Sequence, residues 1–185
     1  MADLLAAASR GDEAAWRKLL DVYGRRVYAL AKSRCRHADL AEEVTQSVFA
    51  TVAAKLGDGY TERGRFESWL FRIAMNRIRD QVRAAKRHAE PTDPDALASV
   101  AHAAEPAPAT DHAALGRLRE AMHRLPEADR EIVELRHHGG MSFKAMADLI
   151  GEPLGTLLAR HHRALKKLKA LMGDEPGIDE GGGEQ

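Results

Sequence analysis

The stretch PEADREIVELRHHGGMSFKAMADLIGEPLGTLLARHHRALKKLKALM, residues 126–172, reads as three helices separated by two short breaks. Pro126 suits a helix start, Ile132, Val133 and Leu135 supply an apolar side, and Gly139 and Gly140 suit the end. Ser142 then caps a short second helix with Phe143, Met146, Ala147, Leu149 and Ile150 turned inward. Gly151 and Pro153 break the chain again, with Pro153 suited to the first turn of the third helix. Residues 154–172 carry Arg160, Arg163, Lys166, Lys167 and Lys169 and no acid, a formal charge of 5 − 0 = +5. A short helix, a glycine-containing turn and a basic helix is the helix-turn-helix order, in which the second helix of the pair enters a major groove and its cations meet phosphates. Charge alone fits a solvated helical hairpin equally well; the order of helix, turn and basic helix is what favours DNA.

Outward from this stretch the chain is helical in composition. At 185 residues it holds one domain or two small ones, and aromatics make up only 5%. Alanine and leucine abound and alternating β-branched runs are missing, so the expected fold is all-α. The net charge of zero conceals strong segregation of acids and bases along the chain. Cys35 stands alone, which excludes an intramolecular disulfide framework, and no cysteine or histidine set has zinc-ligand spacing despite the pairs His137/His138 and His161/His162. Neither a metal nor another cofactor is expected, and Cys35 reads as a small buried hydrophobe. The N-terminus resembles neither a signal peptide nor a membrane span, so a cytoplasmic location without membrane insertion is expected. No phosphate-binding glycine loop, nucleophile elbow or paired catalytic carboxylates are found, and no enzymatic activity is expected.

The N-terminal part divides into four helices. Residues 1–9 form a short one, and Gly11 and Asp12 interrupt the chain and cap a longer helix with a core stripe of Trp16, Leu19, Leu20, Tyr23, Val27, Leu30 and Ala31. Asp39 with Glu42 forms a capping-box-like start to the third. Its inner face is Leu40, Val44, Val48, Val52 and Leu56, and its outer face shows Glu42, Glu43 and Gln46. A glycine-rich loop leads into a fourth helix from about Phe66, with Phe66, Trp69, Leu70, Ile73, Ile78 and Val82 inward. Residues 65–87 carry seven bases and two acids, 7 − 2 = +5. The spacing of Trp69 favours the core, while Tyr60, in the loop, is the better candidate to stack on a base.

Residues 89–114 differ in kind: alanine- and proline-rich, acidic and without lysine or arginine, they read as a flexible linker. Leu115, Leu118, Met122 and Leu125 open the C-terminal unit, 115–172. Residues 173–185 contain Asp174, Glu175, Asp179, Glu180 and Glu184 and no base, and read as a disordered tail of charge −5 that can imitate phosphate against the basic third helix.

The order of these parts resembles that of extracytoplasmic-function sigma factors of the sigma-70 family. The resemblance rests on Ala41, Glu42, Glu43, Gln46 and Phe49 in one helix, then Phe66, Trp69, Leu70 and Asn76, and on MHRLPEADREIVELR and GTLLARHHRAL in the C-terminal part. It covers residues 4–88 and 115–170. It implies a dissociable RNA polymerase subunit of two small helical domains, 1–88 binding core polymerase and recognising and melting the −10 element, and 115–172 recognising the −35 element by a helix-turn-helix. Asp39, Glu42, Glu43 and Gln46 would then dock on the clamp helices of the largest polymerase subunit, and the flap of the second-largest subunit is a further contact. Tyr60, Arg63, Arg65, Arg72, Asn76, Arg79 and Arg83 would hold the single strand at −10, with a base flipped from the stack. Thr156, Arg160, Arg163, Lys166 and Lys167 would meet the −35 duplex, the arginines reading guanine or phosphate and the lysines phosphate. An anti-sigma factor is a further partner the resemblance brings. The chain departs from the family pattern at Leu158, Ala159 and Leu165, where polar or basic residues are common, and at His161, where an apolar residue is usual. A stand-alone helix-turn-helix regulator, or a helical polymerase-interaction module without DNA specificity, are the alternatives the residues leave open.

Overall fold

The computed structural model describes residues 1–35, 37–58, 60, 64–88 and 112–173. Within them the chain forms eight helices and no strand: α1 (Ala2–Ser9), α2 (Glu13–Cys35), α3 (Ala38–Gly57), α4 (Phe66–His88), α5 (His112–Arg124), α6 (Glu127–His137), α7 (Phe143–Ile150) and α8 (Leu154–Gly173). Most of the segment expected to be a linker, and the acidic tail beyond Gly173, lie outside the described residues. The all-α expectation is met.

α2, α3 and α4 form the N-terminal bundle, and α1 closes one end. Leu19, Tyr23, Val27 and Leu30 of α2 meet Val44, Val48 and Val52 of α3 and Phe66, Leu70 and Ile78 of α4 in one buried core. Fully burying side chains of this size contributes about 1.5–3 kcal/mol each. Asp12 accepts the Ala15 N–H at 2.8 Å and so caps α2 as expected, while Trp16 donates its indole N–H to the Ala8 carbonyl at 2.9 Å and ties α1 down. Two expectations fail here. Leu20 is 45% exposed, because no helix among the described residues packs on that side of α2. At the start of α3 the capping position belongs to His37, which makes no side-chain cap; Asp39 sits inside the first turn, where its charge still favours the helix N-terminus.

In the C-terminal unit Ser142 caps α7, accepting the Ala145 N–H at 3.1 Å. Gly151 ends that helix at φ +81°, a left-handed conformation that glycine adopts without strain. Pro153 lies just before α8 and not in its first turn: its carbonyl accepts the Leu157 N–H at 3.2 Å. α5 begins at His112, three residues before Leu115, and packs on α8 through Ala121, Leu125 and Leu168 in a small second core with Leu118 and Met122.

The two units are packed together. α7 lies against α4 and α6 against α2, and Ile132, Leu135, Met141, Met146 and Leu157 continue the N-terminal core. α4 therefore has two buried faces: Phe71, Ala74 and Met75, absent from its expected inward stripe, are all buried. Polar groups pair across the seam. Ser68 donates to the Ala145 carbonyl at 2.9 Å. Arg26 donates to the Gly139 carbonyl at 2.7 Å, pairs with Glu67 and lies 5.1 Å from the Phe71 ring centroid. Arg34 reaches Glu134 at 2.5 Å and Glu127 at 2.7 Å.

Candidate nucleic-acid interface

α8 is anchored by Leu157, Ala164 and Leu168, buried at three- and four-residue spacing. The opposite side faces solvent and carries Gly155, Thr156, Leu158, Ala159, His162, Arg163, Lys166 and Lys167. Four of the five residues expected to meet duplex DNA thus share an open surface. Arg160 is the exception. It is half-buried, and its Nη1 donates to Glu152 Oε1 at 3.0 Å, so its charge is spent on the turn before its own helix. The N-terminus of α8 has no acid in its first turn, which leaves its dipole and free N–H groups available to phosphate oxygen.

The seat of α8 is fixed by an unusual contact. His161 points its Nε2 at Nε2 of His137 on α6, 3.2 Å away, which requires one ring to donate and the other to accept. Phe143 meets His161 edge-on at 5.2 Å, and the Arg136 guanidinium lies 5.2 Å from the Phe143 ring centroid. Burial lowers the pKa of His161, and the neighbouring His137, Arg136 and His162 lower it further. His138 is lowered by burial and by His137 in the same way.

On α4 the expected strand-binding residues divide. Arg65, Asn76 and Arg83 are exposed. Arg72 donates to the carbonyls of Asp148 and Leu149 on α7 at 3.1 and 3.2 Å, and Arg79 grips both carboxylate oxygens of Glu131 on α6 at 2.8 and 3.0 Å. A polar cleft of about 320 Å³ lies between them, lined by Asn76, Met75, Glu131, Leu149 and Ile150 with the two arginines. Tyr60 is half-buried, 4.5 Å from the Trp69 ring at a tilt of 32° and edge-on to Phe66; Trp69 is half-buried and packed on the core. Arg63 lies outside the described residues. On α3, Asp39, Glu42, Glu43 and Gln46 form an exposed acidic and polar face, opposite the buried Val44, Val48 and Val52.

Sequence reasoning missed the residues that join the units. Arg34 and Glu134 are nearly buried, with side chains 9% and 5% exposed. Burial opposes the charge on Arg34, but Glu134 and Glu127 outweigh it and raise its pKa. Glu134 is pushed up by burial, which Arg34 only partly offsets. Glu127, which also pairs with Arg130, is lowered: burial pushes it up, but the Arg34 and Arg130 hydrogen bonds and charges more than compensate. The one signal that points to a second contact is the width of the apolar surface on α4, where Phe71 and Met75 fall outside a single stripe.

The Sigma-70 region 2 family matches residues 19–88, and the Sigma-70, region 4 family matches residues 115–168. Over 165 residues the chain is 34% identical to the ECF RNA polymerase sigma factor RpoE of Cereibacter sphaeroides, an alignment covering 87% of this chain and 88% of that protein. The chain belongs to the ECF sigma factor family. This sigma factor is also 33% identical to the RNA polymerase sigma factor CarQ of Myxococcus xanthus, over 89% of its own length and 92% of that relative. Its fold resembles CnrH, solved in complex with the cytosolic domain of CnrY, with a TM-score of 0.66 at 25% identity, covering 91% of this chain and 94% of that one. It also resembles the sigma factor RpoE of Bartonella quintana, solved with the anti-sigma factor NepR, with a TM-score of 0.64 at 26% identity over 86% and 98% of the two chains. The region 2 match falls on the bundle that ends in α4, and the region 4 match on the unit that presents α8. No helix among the described residues is long and apolar enough to cross a membrane.

Proposed function

We propose that this protein binds core RNA polymerase in the cytoplasm and directs it to start transcription at a specific set of promoters, with no catalytic step of its own. The observation that carries this reading is the succession, in one chain, of a region 2 match and a region 4 match, each on a helical unit with an exposed charged face. The acidic face of α3, from Asp39 to Gln46, docks on the clamp helices of the largest subunit, and the C-terminal unit contacts the flap of the second-largest. α8 enters the major groove of the −35 element. Arg163 is the cation best placed to read a base, with Lys166 and Lys167 held to phosphate. Arg65, Asn76 and Arg83 track the nontemplate strand of the −10 element, with Tyr60 beside Trp69 as the stacking surface for a flipped base. Arg72 and Arg79 join them only when α6 and α7 leave α4, because those side chains are engaged by Asp148, Leu149 and Glu131. Initiation therefore includes separation of the two units. An anti-sigma protein is a further partner, by likeness to a sigma factor solved with one.

In vitro transcription tests the reading. Core polymerase with this protein should initiate at promoters from its own genome, and the start sites should vanish without it. Folded protein that supports no initiation while a control sigma factor does would overturn it. A gel shift with and without core polymerase separates this function from a stand-alone regulator, which binds its operator unaided.

A further inference from the structure

The first two turns of α8 expose Leu154, Gly155, Thr156, Leu158 and Ala159. Among these only the Thr156 hydroxyl can form a side-chain hydrogen bond. Leu154 and Leu158, four residues apart and so on one side of the helix, are 47% and 45% exposed. Arg160, the first cation along the helix, is turned back onto Glu152, and the exposed Arg163, Lys166 and Lys167 follow only in later turns. The recognition surface is therefore apolar at its tip and cationic along its stem.

In a helix-turn-helix the N-terminal residues of the second helix are the ones that reach base edges. Hydrogen-bonded readout there takes an arginine, lysine, amide, carboxylate or hydroxyl side chain, and of these residues 154–159 supply only the Thr156 hydroxyl. One feature of the major groove can still be recognised by an apolar side chain: the C5-methyl group of thymine, which no other base carries. The basic stem, with Arg163, Lys166 and Lys167 exposed, suits contact with phosphates that would keep the tip in the groove. An exposed leucine on such a helix thus has a hydrophobic partner on the DNA itself.

We propose that Leu158, flanked by Ala159 and His162, specifies thymine in the −35 element by packing on its methyl group, with Leu154 beside it at the groove edge. This rests on the reading of α8 as the helix that enters the −35 duplex. It makes part of the promoter specificity of this chain a matter of methyl burial, with Thr156 and Arg163 left to supply the hydrogen-bonded share.

Deoxyuridine scanning tests it. Duplexes selected from a random −35 library by the holoenzyme, formed from the full chain and core polymerase, would be remade with each −35 thymine, on either strand, replaced in turn by uracil, which pairs identically and lacks only the methyl. At one or more positions wild-type holoenzyme should bind the uracil duplex roughly three- to five-fold more weakly, the ratio expected for losing burial of one methyl-sized group. Leu158→Ala, an exposed substitution, should bind the thymine duplex about as weakly as wild type binds the uracil one and should no longer distinguish the two. Equal affinity of wild type for thymine and uracil duplexes at every position, a selected element without thymine, or a thymine preference that survives in Leu158→Ala would each overturn the proposal. Failure of the underlying reading looks different: the holoenzyme would select no −35 sequence at all, and Arg163→Ala would change nothing.

Discussion

Removing Arg34 should open the molecule without unfolding its helices. The Arg34 and Glu134 side chains are 9% and 5% exposed, 2.5 Å apart, and they come from α2 and α6, so their burial depends on the two units being docked. Deleting one partner of a buried ion pair costs about 3–5 kcal/mol, because the survivor keeps its desolvation penalty without compensation. In Arg34→Ala the survivor is Glu134, whose carboxylate reaches no cation but Arg34 among the described ion pairs. At about 1.4 kcal/mol per tenfold, that shifts the docked-to-open equilibrium by roughly 100- to 4,000-fold. The reverse substitution is milder: in Glu134→Gln, Arg34 keeps Glu127 at 2.7 Å. Acid should partly rescue Arg34→Ala. The Glu134 pKa is already raised by burial and rises further without Arg34, so the docked form binds a proton that the open form releases. Lowering pH through that raised value then favours docking.

Small-angle scattering of the full chain reads the outcome as a larger radius of gyration for Arg34→Ala at pH 8 that falls back toward wild type near pH 5, with unchanged helical circular dichroism. Replacing both partners by leucine should restore compactness, since buried pairs exchanged for apolar residues of similar volume are often neutral or better. Identical scattering and identical melting of Arg34→Ala and wild type at pH 8 would refute the reasoning.

Glu43→Arg with Gln46→Ala should weaken capture of core polymerase by about tenfold or more, as like-charge placement at an interface does, while circular dichroism stays unchanged because both residues are exposed; normal capture in a pull-down would move the docking face elsewhere. Gly139→Ala should lower stability by about 1–3 kcal/mol in urea denaturation, since a Cβ there would stand 2.7 Å from the Leu135 carbonyl oxygen and 3.1 Å from the Phe71 ring. Stability should also fall as pH drops below about 6.5, where unfolded histidines begin to protonate: the folded His138 and His161 have lowered pKa values, so the unfolded chain takes up protons first. His161→Leu should flatten that slope, and an unchanged slope in melting temperature between pH 7.5 and 5.5 would show that the His137 contact does not control it.

What was legible in the sequence was local. Asp12, Ser142 and Gly151 cap or end helices by contacts within four residues, and the stripes on α2 and α3 needed only a 3.6-residue period. The exposed cations of α8 followed from the same period, because Leu157, Ala164 and Leu168 leave only one side of the helix for solvent. Arg160 broke that pattern through Glu152, eight residues back, a partner that periodicity does not reveal. The contacts joining the units were less visible still, since Arg34 and Glu134 lie 100 residues apart and neither carries a local mark of its partner.

α4 is where the two kinds of information meet. A helix covered on one side needs an apolar stripe little wider than about 100°, yet Phe66, Leu70, Phe71, Ala74, Met75 and Ile78 are all buried, more than one neighbour accounts for. The surplus marks a second partner, and the same face bears Arg72 and Arg79, the cations expected to follow a DNA strand. On the function proposed above, one helix surface serves two exclusive ligands: α6 and α7 with Glu131 in the docked form, and promoter DNA in the open one. The apolar residues fix how firmly the first holds, and the arginines fix what replaces it. Weakening the seam through Arg34 and weakening it through Glu131→Ala should consequently differ, for the first opens the molecule with Arg72 and Arg79 unaltered while the second frees Arg79 with the buried pair of Arg34 and Glu134 still in place.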